Sequence, residues 1–303
     1  MFHALIIAAL VLTPASPVSP QSPPAPKQQA IKAVTWNVWN GFNHHKQIDA
    51  GIEWLQSQQP DVVAFQELVG IDADRLATIA ARYGHEHSVI CKEGGYPVGL
   101  TSNRPIEVIE RHTEGMHHGY LHARCNDIDW FVVHLHPGDW AFRLKEARTL
   151  AKAIKPVLAS KRRVCVLGDF NAHSQVDSER LAAQTQLRER RNDGPNLRDG
   201  TFDHEVMQTF LDLGLVDLCQ WQLETDPHFK GTFPTRVLQH AAEPEAQQQW
   251  LERIDFILLD PATAATCLGV AMPRGGPLDI VSDHYPVTMT LPNSKTRDAT
   301  PAP

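Results

Sequence analysis

Six apolar segments of this chain run into residues that can hold a cation or move a proton. VTWN (34–37) ends at Asn37, and VVAFQE (62–67) ends at Glu67. FVVHLH (131–136) carries His134 and His136, and VCVLGDFN (164–171) carries Asp169 and Asn171. RIDFIL (253–258) carries Asp255 in mid-strand, and IVSDHYPV (280–287) carries Asp283 and His284. Side chains two apart on an extended chain point the same way, so Asp169 and Asn171 can serve one site. Gly168 between them and the strand leaves room for close backbone approach. Each cluster has a plainer reading on its own: GDFN as a tight turn, SDH as a loop, Asp255 paired with Arg253, His134 as a satisfied core histidine. One pattern repeated along the chain, an apolar strand followed by a chemical group, argues that the ends converge.

Convergence would crowd Glu67, Asp169, Asp255 and Asp283 into one cleft. Like charges raise one another's pKa and destabilise the fold, and a divalent cation relieves this. No two cysteines stand at CxxC spacing, so the ligands are oxygens, which favours Mg2+, with Mn2+ or Ca2+ as alternatives. The other Asp, Asn and His groups would then activate water and hold a phosphoryl group.

The positioning elements follow from periodicity. Ile31–Asn37 reads as a first strand, and Ile48, Ile52 and Leu55 mark a helix over 46–57. Val62–Phe65 is a short buried strand, and 72–83 is a second helix. Four β-like runs lie between 87 and 135: HSVIC, VGLTS, YLHARC and DWFVVHL. Trp140, Leu144, Ala147, Ala151, Ile154 and Leu158 form one apolar face of a helix over 140–158. Val164–Leu167 is the next strand. Residues 174–204 read as a polar excursion, with Arg188, Arg190 and Arg191 on a solvated helix face. A helix over 205–214 ends in Gly, 221–250 is irregular, and Ile254–Leu259 and Val287–Leu291 are late strands. This mixture suggests one α/β or α+β domain over 27–292, with 293–303 as a disordered polar tail.

Lys plus Arg number 28 against 35 Asp plus Glu, a formal charge of -7 over 303 residues. Such a chain has no general attraction to polyanions, so a local patch or a metal ion must supply it. Residues 1–26 read as a signal peptide and Pro-rich linker. The apolar run Ala4–Leu12 is too short to span a bilayer; it precedes Thr13-Pro14-Ala15 and SPVSPQSPPAP, and implies a secreted or periplasmic protein. No other stretch is long and apolar enough to cross a membrane. The five cysteines leave at least one thiol outside any intramolecular pairing, and spacing assigns no disulfide.

TWNVWNG (35–41), DVVAFQEL (61–68), VVHLH (132–136), VLGDFN (166–171), RIDFIL (253–258) and SDHYPV (282–287) resemble, in order and separation, the motifs of the endonuclease/exonuclease/phosphatase (DNase I-like) superfamily. The resemblance implies an α+β fold: a four-layer α/β/β/α sandwich of two mixed β-sheets, with the site at one edge. It further implies that Glu67 holds the metal with Asn37 and Asp283 nearby. Asp169 would activate water with help from Asn171, and His284 would contact the scissile phosphate with Asp255 fixing its ring. His134 would contact phosphate or protonate the leaving oxygen. The implied activity is metal-dependent phosphodiester hydrolysis, on nucleic acid or a phospholipid headgroup; the chain is separately expected to be a monomer. Sphingomyelinase-like and phosphomonoesterase activities are alternatives on the same site. The chain departs from the pattern at Val133, where many relatives carry Thr, and at the extra His136.

Two other classes compete. HLHPGD (134–139) approximates the HxHxDH of zinc hydrolases of the metallo-β-lactamase type, but the aspartate is one place late and Trp140 replaces the last histidine. An inactive, toxin-like binding subunit on the same fold would be expected to lack one of the site groups, and none is missing. Selectivity is expected in loops 42–46, 112–122, 137–140, 174–204 and 221–250, with Trp39, Phe42, Trp140 and Trp221 as aromatic candidates near the mouth. The pairs His44-His45 and His117-His118 read as loop residues.

Overall fold

Period-two burial divides each central strand between two hydrophobic layers. The computed structural model describes residues 30–293, apart from 185–186, 188, 190–195, 221–222 and 224–230. Residues 1–29, the tail beyond 293, Arg188, Arg190, Arg191 and Trp221 therefore lie outside the described residues. In β1 (Ala30–Asn37), Ile31 and Ala33 face one core while Val34 and Trp36 face another. β8 (Arg163–Asp169) divides in the same way, Cys165 and Leu167 inward against Val164 and Val166 outward.

Among the described residues the strands form two six-stranded sheets. The first has the order β11 (Gly269–Ala271), β12 (Val287–Pro292), β1, β2 (Val62–Gln66), β4 (Gly99–Ser102), β3 (His87–Ile90). The second has β5 (Glu107–His112), β6 (Tyr120–Cys125), β7 (Ile128–His134), β8, β10 (Asp255–Leu259), β9 (Val216–Asp217). Both are mixed: β1 runs parallel to β2 and β7 parallel to β8, and the other pairs are antiparallel. The inner faces share one core that includes Val62, Leu100, Trp130, Val132, Ile257 and Met289. Helices α1 (Ile48–Gln58) and α2 (Ala73–Ala81) cover the first sheet through Ile52, Leu55, Leu76 and Ile79. Helix α3 (Trp140–Ala159) and the helix Glu205–Leu211 cover the second through Leu144, Leu150, Ile154 and Phe210. The architecture is the expected four-layer α/β/β/α sandwich. No described helix is long and apolar enough to cross a membrane.

The observed elements add three strands to those legible from periodicity. β5, β9 and β11 all lie at sheet edges, where one-sided burial weakens the apolar signal. Asp255 is also corrected: it opens β10 rather than sitting in mid-strand, directly across from Asp169 in the register. All five cysteines are free thiols, four of them buried.

Candidate active site

The inner-face stripes that fill the core end in the polar residues. On β8 the parity that buries Cys165 and Leu167 turns Asp169 into the space between the sheets. The parity of Trp130 and Val132 does the same for His134 on β7, and that of Ile257 and Leu259 for Asp255 on β10. Register then aligns them: His134 pairs with Asp169 across β7 and β8, and Asp255 pairs with Asp169 across β10 and β8. From the opposite sheet, Asn37 pairs with Gln66 at the ends of β1 and β2, Glu67 follows, and Asp283-His284 precede β12. Antiparallel strands enter where parallel strands leave, so six strand ends from two sheets meet at one end of the core.

The eight residues expected at the site form one cluster. Asn37 Nδ2 donates to Glu67 Oε1 at 3.2 Å and to Asp169 Oδ2 at 3.0 Å, linking the two sheets. His284 Nδ1 meets Asp255 Oδ2 at 2.8 Å, and its Nε2 lies 3.8 Å from Asp169 Oδ2. His134 Nε2 lies 3.5 Å from the same oxygen. Asp169 Oδ1 accepts the backbone N–H of Asn171 at 2.9 Å, and Asn171 Nδ2 donates to the Leu135 carbonyl at 3.0 Å. The supposed Arg253–Asp255 pair does not form. Arg253 is bound instead to Asp177 at 2.8 Å and Asp217 at 2.6 Å, which leaves Asp255 to the histidine.

These groups open into a cleft of about 390 Å³ lined by Glu67, Asp169, Asn171, Asp283, His134 and His284, with Trp39, Asn40, Tyr96, His117, His118 and Phe233 around them. Burial pushes the Asp169 carboxyl up to about 7, with Asp255 adding to the rise and His284 opposing it. Burial likewise raises Asp283 to about 7, against the pull of His284. For His284 itself burial works against the proton, but Asp255 and Asp169 overcome it and hold the imidazolium well above the usual range. Burial, reinforced by His118 and His284, keeps His134 neutral.

The donor set fits a hard divalent cation at Glu67 and Asp283. Asp283 Oδ1 is buried without a hydrogen bond among the described residues, with His284 Nε2 4.0 Å away as an ion-pair partner, and Glu67 lines the same cleft. A buried carboxylate oxygen without a hydrogen bond is costly, and a second cation in the cleft would offset that cost. Asp169, Asp255 and His284 also bring one ligand atom each within 4.8 Å of one another. That trio is a poorer holder, because His284 would first have to release the proton that two carboxylates stabilise.

The backbone around Glu67 is unusual. Trp39 to His45 run through left-handed φ values between 38° and 76°. Such conformations cost L-residues roughly 1–2 kcal/mol each. Buried contacts of Phe42 with Trp36 and Phe65 hold the segment. So do the hydrogen bonds from Asn40 N to Glu67 Oε2 and from Gly41 N to Glu67 O. The result presents Trp39 and Asn40 to the cleft.

Several sequence expectations change here. Phe42 is a core residue rather than a mouth residue. Trp140 stacks beneath Arg198, 4.6 Å from its guanidinium, and does not line the cleft. His117 and His118 do line it: His118 stacks on His134 with ring centroids 4.0 Å apart. Adjacent loop histidines have no period, so only their placement beside β7 reveals them. The HLHPGD segment is not a zinc motif. His136 Nδ1 accepts the N–H groups of Gly138 and Asp139, and Asp139 caps α3 through Ala141 N and Phe142 N.

Residues 34–284 match the Endonuclease/Exonuclease/phosphatase family. Three solved structures share the fold. An AP endonuclease from Archaeoglobus fulgidus has a TM-score of 0.66 and 19% identity, covering 86% of this chain and 99% of its own. A 3′ phosphatase from Neisseria bound to a product DNA hairpin has a TM-score of 0.61 and 23% identity, covering 86% and 98%. A 3′-5′ exonuclease from Neisseria meningitidis has a TM-score of 0.62 and 22% identity, covering 86% and 100%. No curated protein matches the sequence.

Proposed function

The chain belongs to the endonuclease/exonuclease/phosphatase family, and from that premise we propose that it is an exported, Mg2+-dependent phosphodiesterase acting on nucleic acid. The observation that carries the reading is the shared oxygen Asp169 Oδ2, which Asn37, His134 and His284 approach at 3.0, 3.5 and 3.8 Å. A carboxylate so placed can take a proton from water while cationic and neutral donors hold the phosphoryl oxygens around it.

Asp169 is the general base, oriented by the Asn171 backbone and the Asn37 amide. His284 is the fixed imidazolium. Asp255 holds its Nδ1, so Nε2–H faces the cleft and stabilises negative charge on the scissile phosphate. His134, neutral and buried, donates a hydrogen bond to a phosphoryl oxygen rather than acting as the acid. Asn171 lines the same wall. Glu67 and Asp283, with Asn37 beside them, would hold the Mg2+, which would supply charge stabilisation for the reacting phosphate.

The cleft lining contains no Lys or Arg among the described residues, and the chain is acidic. Attraction for an anionic substrate therefore falls on the cation and the imidazoles. Nucleic acid is favoured because similar folds occur in a DNA-bound 3′ phosphatase, an AP endonuclease and a 3′-5′ exonuclease. The export proposal rests on the apolar run and Pro-rich linker within 1–26.

The test is one panel of plasmid DNA, RNA, sphingomyelin and a phosphomonoester, each with Mg2+ and with chelator. Chelator-sensitive cleavage of DNA or RNA is expected. Turnover of sphingomyelin or the monoester alone would move the substrate class, and no turnover of any would favour a binding subunit on this fold.

A further inference from the structure

Glu146 lies on α3 with its side chain fully buried, outside the residues that face the cleft. Its Oε1 accepts the backbone N–H of His117 at 2.6 Å, and its Oε2 accepts that of His136 at 2.7 Å. These histidines stand on different loops, His117 between β5 and β6 and His136 between β7 and α3. Three residues earlier on α3, Arg143 donates from Nη1 to the His136 carbonyl at 2.8 Å. The backbone of His136 is thus gripped at its N–H and its C=O by one face of one helix.

The clamp continues into the cleft through rings. His117 lies 4.3 Å from His136 and 4.2 Å from His118 between ring centroids. His118 stacks on His134 at 4.0 Å with the planes 18° apart, and His134 faces Asp169. An acidic side chain in this position is costly: burial lifts its carboxyl to about 7, against the pull of the two amides and Arg143. An apolar residue would avoid that cost but leave two backbone donors without their acceptor.

We propose that Glu146 is a positioning residue that ties the two histidine loops together, so that His118 and His134 present one fixed wall to the phosphoryl group. What the wall contacts rests on the phosphoesterase reading; the tie itself rests on geometry alone. Glu146 touches no substrate and acts through His118.

The experiment compares wild type, Glu146→Gln, Glu146→Leu, His118→Ala and the Glu146→Gln/His118→Ala double variant, by amide NMR and by kinetics. Gln keeps one acceptor oxygen and serves if the Leu variant fails to fold. Amide exchange at His117 or His136 should quicken at least tenfold in Glu146→Gln, with that at Val63 unchanged. The kcat should fall at least tenfold with the Mg2+ requirement unchanged. In the His118→Ala background the same change should cost less than threefold. Unchanged exchange at both amides, or a cost in the His118→Ala background equal to that in wild type, would overturn the proposal. A wild-type chain inert toward every phosphoester would sink the phosphoesterase reading instead, and the amide exchange alone would then decide for or against the tie.

Discussion

Asp255 Oδ2 lies 2.8 Å from Nδ1 of His284, and both side chains are almost entirely withdrawn from water. The carboxylate fixes the ring and raises its pKa well above 6.5. A raised folded-state pKa contributes stability that is fully present below the unfolded value and is lost as pH rises through the folded value. Without that carboxylate the imidazolium releases its proton at lower pH, so Asp255→Asn should move the basic limb of the kcat–pH profile to lower pH and reduce kcat at pH 8 about a hundredfold, within the range of acid–base contributions. A variant whose basic limb coincides with that of wild type would show that the pair does not set the charge of His284.

Asp169 is the meeting point of both sheets, since Asn37 from β1 and the Asn171 amide beyond β8 both donate to it. Asp169→Asn keeps its size but cannot take a proton. The kcat should fall by roughly 10² to 10⁴, with the far-UV spectrum and thermal midpoint close to wild type. Retention of more than a tenth of wild-type activity would transfer the base role elsewhere.

Glu67 and Asp283 should govern the cation. Binding of Mg2+ to the folded chain alone should stabilise it by about 2.7 kcal/mol at a hundredfold excess over Kd, read as a rise in Tm that chelator reverses. Glu67→Ala should abolish that rise along with activity. An undiminished Mg2+-dependent rise in Glu67→Ala would place the ion at the Asp169, Asp255 and His284 trio instead.

The strand ends were legible because two signals coincide there: period-two burial assigns the strand, and the same parity carries Asp169, His134 and Asn37 to the inner face. The left-handed run Trp39–His45 was not legible, because WNGFNHH contains a single glycine and its conformation is held by contacts with Glu67, Trp36 and Phe65 that are distant in sequence. The imidazole wall was hidden for a related reason. His117 and His118 acquire their role only when β6 pairs with β7 and brings their loop beside His134. Glu146 lies off the apolar stripe of α3 and reads as solvent-facing until its two loop partners are in place.

Gly168 tests whether the alignment of β7 with β8 is a steric requirement. Its φ is +143°, and a Cβ there would stand 2.0 Å from the Val133 carbonyl oxygen and 3.1 Å from its nitrogen. The obstacle is backbone, so no side-chain rotation relieves it, and β7 would have to move away from β8 beside the His134–Asp169 pair. Gly168→Ala should cost at least about 2 kcal/mol in urea unfolding, as overpacking of a filled site does. It should also lower kcat beyond what instability explains, because the same shift separates His134 from Asp169. Gly84→Ala is the control: its φ of +89° is unfavourable for alanine, but nothing lies within 4 Å of the added carbon. It should cost about 1 kcal/mol from strain alone and leave kcat unchanged. Equal losses of stability and activity in the two variants would mean that backbone strain, rather than the close approach of the two strands, explains the glycine at 168.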